Sequence, residues 1–135
     1  MASLLTVGQL AARAGLSADT IRYYERIGVV PKALRTAAGY RQYSEAVLTR
    51  LALIRNAQRF GFTLREIAGF LQVRDRGGKP CHEVRARAQG LLDAVDRQIV
   101  ELTSARDQMQ RTLQEWDTRL ARTPAHEPAR LLESL

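Results

Sequence analysis

The chain has 135 residues, of which 45% are hydrophobic and 26% charged, the proportions of an ordinary globular protein with one modest core. No apolar run is long enough to span a bilayer, and the first residues lack the charged region of a signal peptide. A cytoplasmic protein with no membrane partner is therefore expected. The single cysteine, Cys81, excludes an intramolecular disulfide framework and fits a reducing compartment.

Positive charge is concentrated in the first part of the chain. Residues 1–80 contain 13 Lys and Arg against 5 Asp and Glu, whereas residues 81–135 contain 8 against 9. The net charge of +7 therefore belongs to the first part alone. This asymmetry predicts a polyanionic partner for that part, the alternative being a basic surface that is merely solvated.

Two short helices joined by a tight turn are predicted at the start. Thr6 and Gln9 have the spacing of a capping box, and Gly15 is placed to end the first helix. Ser17 is the predicted N-cap of a second helix, from Ala18 to about residue 27. A glycine-bearing turn of this length between two helices is typical of a helix-turn-helix motif.

A small hairpin and two more helices follow. Residues 34–43 are predicted to form a two-stranded wing that turns near Gly39. Ser44 is the predicted cap of a third helix, which Gly61 ends. Thr63 with Glu66, three residues later, forms a second capping box that opens a fourth helix.

The second part of the chain is predicted to be one long helix over residues 82–121, reached through a linker at residues 74–81. Its apolar residues recur in alternating steps of four and three, as in a heptad seam. A lone helix of this length cannot bury its own stripe, so the simplest partner is the same helix of a second subunit. Residues 1–73 are then predicted to form a winged helix-turn-helix domain, a type that commonly binds DNA, and residues 122–135 a C-terminal loop or tail that is the expected effector segment. The seam comprises Ala88, Leu92, Val95, Ile99, Leu102, Arg106, Met109, Leu113, Trp116 and Leu120, and the charged Arg106 interrupts it.

The candidate DNA contacts are polar side chains of the second helix, the wing and the third helix. A recognition helix offers long polar side chains at its N-terminal end to base edges and phosphates, and arginine suits both guanine and phosphate. The alternative is that Tyr23, Tyr40 and Tyr43 are core residues and the arginines a solvated face; of Tyr23 and Tyr43, one is expected to be buried. The candidates are Ser17, Thr20, Arg22, Tyr24, Arg35, Tyr40, Arg41 and Arg55.

Four motifs in order resemble the signature of the MerR family of transcriptional regulators, over about residues 4–120. They are Leu5–Ala11, Thr20–Gly28, Gly39–Tyr43 and Gly61–Ile67. The resemblance implies a mainly α fold, a winged helix-turn-helix domain with a long helix that forms an antiparallel coiled coil in a homodimer. Arg22, Tyr24, Tyr40 and Arg41 match positions that contact DNA in the family.

The resemblance also implies a mechanism. Family members bind pseudo-palindromes in double-stranded promoter DNA whose spacer is too long for RNA polymerase. Binding of the effector makes the dimer bend and untwist that DNA, so that RNA polymerase is controlled indirectly, through DNA shape.

Cys81 is the candidate effector residue. In the segment Pro80–Val84 it resembles the first thiolate of the family's divalent-metal sensors, which implies zinc, cadmium, lead or mercury as inducer. The chain departs from those sensors because it has no second cysteine; Trp116 and a position near Ala129 stand where further cysteines would be expected. His82 and His126 are candidate additional ligands, with Cys81 of one subunit meeting His126 of the other.

Three alternatives remain open for the role of Cys81. Cys81 is a metal ligand, a single thiol that senses oxidants or electrophiles, or a buried residue with no role in sensing.

An effector-independent DNA-architectural protein is the alternative to an inducible regulator. An enzyme is not expected, because Cys81 and His82 are adjacent helical residues that do not face one another, and no carboxylate pair or phosphate loop occurs.

Overall fold

A computed structural model describes residues 4–135 and is mainly helical, with a small three-stranded sheet. It divides into two compact units, one reaching to Leu91 and the other from Leu92 to Leu135. None of the helices in the described range is long and apolar enough to cross a membrane. The elements are β1 (Leu4–Leu5), α1 (Val7–Ala14), α2 (Ala18–Arg26), β2 (Leu34–Arg35), β3 (Arg41–Ser44), α3 (Ala46–Phe60), α4 (Leu64–Asp75) and α5 (Cys81–Arg122), followed by a 3₁₀ turn, Leu132–Ser134.

The predicted helix-turn-helix is confirmed in α1 and α2. Thr6 Oγ1 accepts a hydrogen bond from the Gln9 amide at 3.1 Å, and Gln9 Oε1 accepts one from the Thr6 amide at 2.9 Å. Gly15 ends α1 with φ of 69°, in the left-handed region that glycine enters at little cost. Ser17 caps α2 by accepting from the Thr20 amide at 3.1 Å. These local bonds fix both ends of the turn that sets α2 against α1.

The sheet has the order β1-β3-β2, with both pairs antiparallel. The hairpin of β2 and β3 is the predicted wing, and Gly39 in its turn has φ of 86°. The strand β1 was not predicted, because two residues carry no alternation pattern. Leu5 of β1 pairs with Tyr43 in the middle of β3, so β1 ties the start of the chain to the wing.

The helices α3 and α4 begin and end largely where turn chemistry predicts. Gly61 ends α3, and Thr63 and Glu66 form the predicted capping box of α4. The prediction that Ser44 is the N-cap of α3 is wrong. Ser44 is the last residue of β3, paired with Leu4, and its hydroxyl instead accepts from the amide of Ala46 at 3.2 Å.

One face of α2 packs into the hydrophobic core of the first unit. Ile21 is fully buried, and Tyr24, one turn later, is 9% exposed. Residues from β1, α1, β3, α3 and α4 surround them, and every buried residue in the described range is apolar or aromatic. The opposite face of α2 is therefore displayed outward by a scaffold of five other elements. The core comprises Leu5, Leu10, Ala11, Ile21, Tyr24, Val29, Val30, Tyr43, Val47, Leu51, Ile54, Ile67, Ala68 and Leu71.

Arg50 of α3 joins three segments of this unit. Its Nε donates to the carbonyl of Val29 at 2.7 Å, just after α2, and its two terminal nitrogens donate to the Asp75 carboxylate at 2.8 and 2.9 Å. This bidentate pair holds the pKa of Asp75 below its usual range, the hydrogen bonds from Arg50 outweighing the opposing effect of burial. The end of α4 is thus fixed to α3 and to the turn that follows α2.

Replacing Arg50 with alanine is expected to lower the free energy of unfolding by about 2 kcal/mol, because hydrogen bonds to charged groups are lost and the Val29 carbonyl is left unpaired. Arg50→Lys keeps the charge but not the planar fork, so we expect it to recover only a small part. Urea titrations at one fixed protomer concentration measure both losses. Equal stability of the alanine variant and the unaltered protein contradicts this assignment.

The long helix α5 has no buried residue among its 42 members, and it extends slightly beyond the predicted range at both ends. At 1.5 Å per residue it is about 63 Å long. The apolar seam side chains are exposed, for example Leu92 by 50%, Ile99 by 55% and Met109 by 67%. Because α4 continues to Asp75 and α5 begins at Cys81, only residues 76–80 lie between the two helices.

Candidate nucleic-acid interface

The outward face of α2 carries a stripe of four side chains at helical spacing, Asp19, Arg22, Tyr23 and Arg26, which we call the α2 stripe. Arg22 Nη1 lies 2.6 Å from Asp19 Oδ1, and the Arg26 guanidinium carbon lies 5.3 Å from the centre of the Tyr23 ring. Two arginines are therefore held in place, one by an ion pair and one by a cation–π contact. Of these four side chains, only Arg22 was predicted from the sequence to contact DNA.

The other candidates on α2 lie at its N-terminal end and in the core. The Ser17 hydroxyl forms the N-cap of α2, and its oxygen lies 2.8 Å from the hydroxyl oxygen of Thr20, so the two hydroxyl groups are hydrogen-bonded to each other. The Tyr24 ring is buried, so it packs α2 against the scaffold; contact of its hydroxyl with a phosphate stays a prediction. The core alternative holds for Tyr43, which is 2% exposed, and is wrong for Tyr23 and Tyr40, which are 44% and 73% exposed.

The wing places two arginines and a phenol beside α2. Arg35 Nη1 donates to the carbonyl of Gly39 at 2.8 Å, across the hairpin turn, and Tyr40 projects from that turn. The Arg41 Nε lies 3.5 Å from Glu25 Oε2. This is an ion pair without hydrogen-bond geometry, since Arg41 Nε has no hydrogen-bond partner among the described residues although it is buried.

Glu25 of α2 connects the recognition helix to the wing, and sequence analysis did not identify it. Its carboxylate accepts from the Tyr43 hydroxyl at 2.8 Å and from the Ala33 amide at 3.0 Å, and it faces Arg41. Burial raises the pKa of Glu25, but these hydrogen bonds and the charges of Arg41 and Arg35 outweigh it and hold the pKa below its usual range. Glu25 therefore stays ionised and fixes the wing relative to α2.

The same contact changes Tyr43. Burial, the hydrogen bond to Glu25 and the charge of Glu25 together raise the pKa of Tyr43 to about 12. Tyr43 thus remains a neutral donor throughout the physiological range, and Glu25 remains its charged acceptor.

Arg55 lies on α3 next to the end of α1. Its Nη2 donates to the carbonyl of Ala14 at 2.5 Å, so the guanidinium sits at the negative end of the α1 dipole. The side chain is exposed, which leaves its other donors available to a phosphate. A second pair on this side of the unit joins Arg13 of α1 to Glu45 at 2.9 Å.

The candidate effector residues do not gather into a metal centre in one chain. Cys81 is exposed, which excludes the alternative of a buried cysteine within the chain, and His82 beside it is also exposed. His126 Nε2 lies 3.7 Å from Glu127 Oε1. Among residues 4–135, no group of three or more His, Cys, Asp and Glu side chains is placed to hold a metal ion.

A helix-turn-helix with a basic outward stripe and an adjacent arginine-bearing wing defines the class of winged helix-turn-helix DNA-binding domains. Two family models match the chain: "MerR HTH family regulatory protein" over residues 5–73, and "MerR, DNA binding" over residues 48–112. The chain belongs to the MerR family of transcriptional regulators, and the predicted fold class is confirmed.

Three relatives place the chain within this family. The mercuric resistance operon regulatory protein of Bacillus cereus is 40% identical over 96 residues, which cover 71% of this chain and 73% of the relative. The transcription regulator PbrR691 of Ralstonia metallidurans CH34, solved with lead(II), is 29% identical with a TM-score of 0.62, covering 97% of this chain and 99% of that one. HiNmlR, described as a MerR family regulator lacking the sensor domain and solved on promoter DNA, is 25% identical with a TM-score of 0.58, covering 89% and 95%.

Proposed function

We propose that this regulator acts as a homodimer that binds a promoter pseudo-palindrome and switches transcription by distorting the DNA. The observation that carries the proposal is the exposed apolar seam of α5. Each half-exposed leucine, valine and isoleucine on it would lose its water-accessible apolar surface against a second α5, which is favourable at about 25 cal/mol per Å². A helix of 42 residues with nothing buried in one chain needs such a partner.

A two-fold dimer presents two copies of the α2 stripe and two wings, which suits a pseudo-palindrome. The arginines of the stripe and wing supply phosphate contacts and base contacts, and the dimer geometry sets the spacing of the half-sites. Membership of the MerR family supports control through distortion rather than simple occlusion, because the family resemblance implies a dimer that bends and untwists promoter DNA. RNA polymerase is then affected indirectly.

Selection of binding sites from a random duplex library tests this function. We expect the protein to enrich a pseudo-palindrome, to bind it as two protomers per duplex, and to bend it in a circular-permutation gel assay. Binding that is equally tight to every sequence, or that involves one protomer per duplex, overturns the proposal. Reconstituted transcription from the selected site, with and without candidate inducers, separates an inducible regulator from an architectural protein.

The inducer that the family context favours is a soft divalent metal ion, since relatives are named for mercury and solved with lead(II). The donors of one chain do not suffice for a tight site, because within residues 4–135 no three His, Cys, Asp or Glu side chains are placed to hold a metal ion, and a structural or sensing site takes three or four ligands. A metal inducer therefore requires ligands from a second protomer, and His126 is the candidate from the tail.

We expect metal affinity to depend on both kinds of donor. Cys81→Ser and His126→Ala are each predicted to weaken binding of zinc, cadmium, lead or mercury at least tenfold, because even the loss of an outer-shell partner of a ligand typically costs about 10- to 100-fold in affinity. Met109→Leu removes the other sulfur-bearing side chain of α5 and is expected to change nothing. Competition against a chromophoric chelator under reducing conditions measures all three variants. Unchanged affinity in both ligand variants rejects a metal inducer at this site.

The exposure of Cys81 supports a second candidate, a single thiol that responds to oxidants or electrophiles. In that case the reduced dimer binds metals no more tightly than a free thiol does. Transcription responds instead to alkylation of Cys81, and Cys81→Ser abolishes the response.

A further inference from the structure

We infer that Asp19 is a specificity-determining residue, which accepts a hydrogen bond from the exocyclic amino group of a cytosine next to the guanine that Arg22 contacts. The inference rests on the proposed function and adds to it a base preference. It begins from an ion pair on the α2 stripe in which a donor and an acceptor lie side by side, with Arg22 Nη1 at 2.6 Å from Asp19 Oδ1.

Asp19 stands where a recognition helix meets the bases. It follows the N-cap Ser17 by two residues, in the first turn of α2, and its side chain is 90% exposed. The cap is already complete, because Ser17 accepts from the amide of Thr20. Arg22 is the sole partner of Asp19 in the described chain, and it engages one of the two carboxylate oxygens. The other oxygen is available to a ligand.

Asp19 differs in its contacts from the other acidic residues of residues 4–80. Glu25 holds the wing, Glu45 pairs with Arg13, Glu66 closes the α4 capping box, and Asp75 is bound by Arg50. Each of these carboxylates serves the scaffold. Asp19 alone lies on the α2 stripe, where phosphates would repel it and Arg22 offsets that repulsion at one oxygen, so a base donor at the other oxygen would add a second favourable contact.

Base chemistry selects cytosine as that donor. In the major groove, cytosine presents an N4 amino donor without a neighbouring ring acceptor, whereas adenine places its N7 acceptor beside its N6 donor, where it repels a carboxylate. Arg22 keeps Nε and Nη2 for the O6 and N7 acceptors of guanine, the usual bidentate contact. The pair therefore reads adjacent guanine and cytosine bases as one unit.

The test uses the full-length protein and the site it selects from a random library. We expect a cytosine beside a guanine in each half-site. Replacing that cytosine with N4-methylcytosine, whose methyl group occupies the outward amino position while the base pair is kept, should weaken binding of the unaltered protein roughly tenfold per half-site. Asp19→Ala should bind both duplexes equally and select any base at that position. Glu45→Gln removes a carboxylate elsewhere in the same unit and should leave the preference intact.

The outcomes separate this inference from the function on which it rests. If the unaltered protein enriches no sequence, the proposed function fails, and the inference fails with it. If a pseudo-palindrome is enriched but Asp19→Ala retains the same preference at every position, the inference alone fails. It also fails if Asp19→Ala relaxes only the guanine position that Arg22→Ala relaxes, because Asp19 then merely positions Arg22. Circular dichroism of each variant confirms that α2 is intact.

Discussion

Replacing Ile99 with glutamate is expected to give a monomer that no longer holds its operator. Ile99 lies near the middle of the α5 seam and is 55% exposed in one chain. In the proposed coiled coil its replacement places an unpaired carboxylate in each subunit's share of an apolar interface, and burying an unpaired charge costs several kcal/mol. Without the dimer the two half-sites are bound independently, so operator affinity falls by roughly 10²- to 10⁴-fold.

Val100→Glu is the matched control, since it places the same charge one residue away on the same helix. Val100 is 68% exposed and does not belong to the seam, so this variant is expected to stay dimeric and to bind the operator normally. Sedimentation equilibrium gives the mass of each variant, and gel-shift titration gives its affinity. A dimeric Ile99→Glu variant with normal operator affinity would show that α5 does not pair through this seam.

Replacing Glu25 with alanine is expected to lower the free energy of unfolding by about 3 kcal/mol and to release the wing. The change leaves the Tyr43 hydroxyl and the Ala33 amide without their acceptor and Arg41 without its counter-charge. Unsatisfied donors that are partly buried cost about 1–3 kcal/mol each. Operator affinity should fall as well, because Arg41 is no longer held beside α2.

Two controls accompany the Glu25 variant. Glu25→Gln keeps an acceptor and loses the charge, so we expect a smaller loss of stability. Glu45→Ala removes an exposed carboxylate from its pair with Arg13 and should cost less than about 1 kcal/mol. Urea titration at fixed protomer concentration measures all three. A Glu25→Ala variant as stable as Glu45→Ala rules out the network as a structural tie.

Glu25 also predicts a pH dependence. Its pKa in the folded chain lies below the ordinary value of 4.5, so its contribution to stability is fully present above about pH 4.5 and is lost as the pH falls through the folded-state pKa. Asp75 and Glu66 have lowered pKa values as well and contribute in the same direction. Glu25→Gln should therefore flatten the acid limb of the stability profile without abolishing it.

The parts of the fold that sequence predicted are those that depend on local chemistry. The capping boxes at Thr6 and Thr63 and the helix-ending glycines Gly15 and Gly61 involve residues three or four apart. Their spacing in the sequence is therefore enough to predict them. The strand β1 was missed because its formation depends on pairing with β3, some forty residues later in sequence.

The residues of the candidate site were likewise predictable only where the signal is local in the sequence. Arg22, Tyr40 and Arg41 were selected from their residue type and their place in the motif, and the structure places them on the outward face of α2 and on the wing. Glu25 was not selected, because its partners Ala33 and Tyr43 lie eight and eighteen residues away and meet it only in the folded chain. The exposed positions Tyr23 and Arg26 had a usable signal, since Arg26 follows Arg22 by four residues and Tyr23 precedes Arg26 by three.

The ion pairs of the candidate interface reduce what its arginines gain from contacts with DNA phosphates. Arg22 and Arg41 are each already next to a carboxylate, Asp19 and Glu25, before DNA arrives. A guanidinium that leaves or shares an internal counter-charge for a phosphate gains less than a free one, although the counterions condensed on the DNA are released all the same. Sequence-independent adhesion to the duplex is therefore weaker than the basic composition implies. We therefore expect the proposed dimer to dissociate readily from unrelated DNA and to spend correspondingly more of its time on its own promoter.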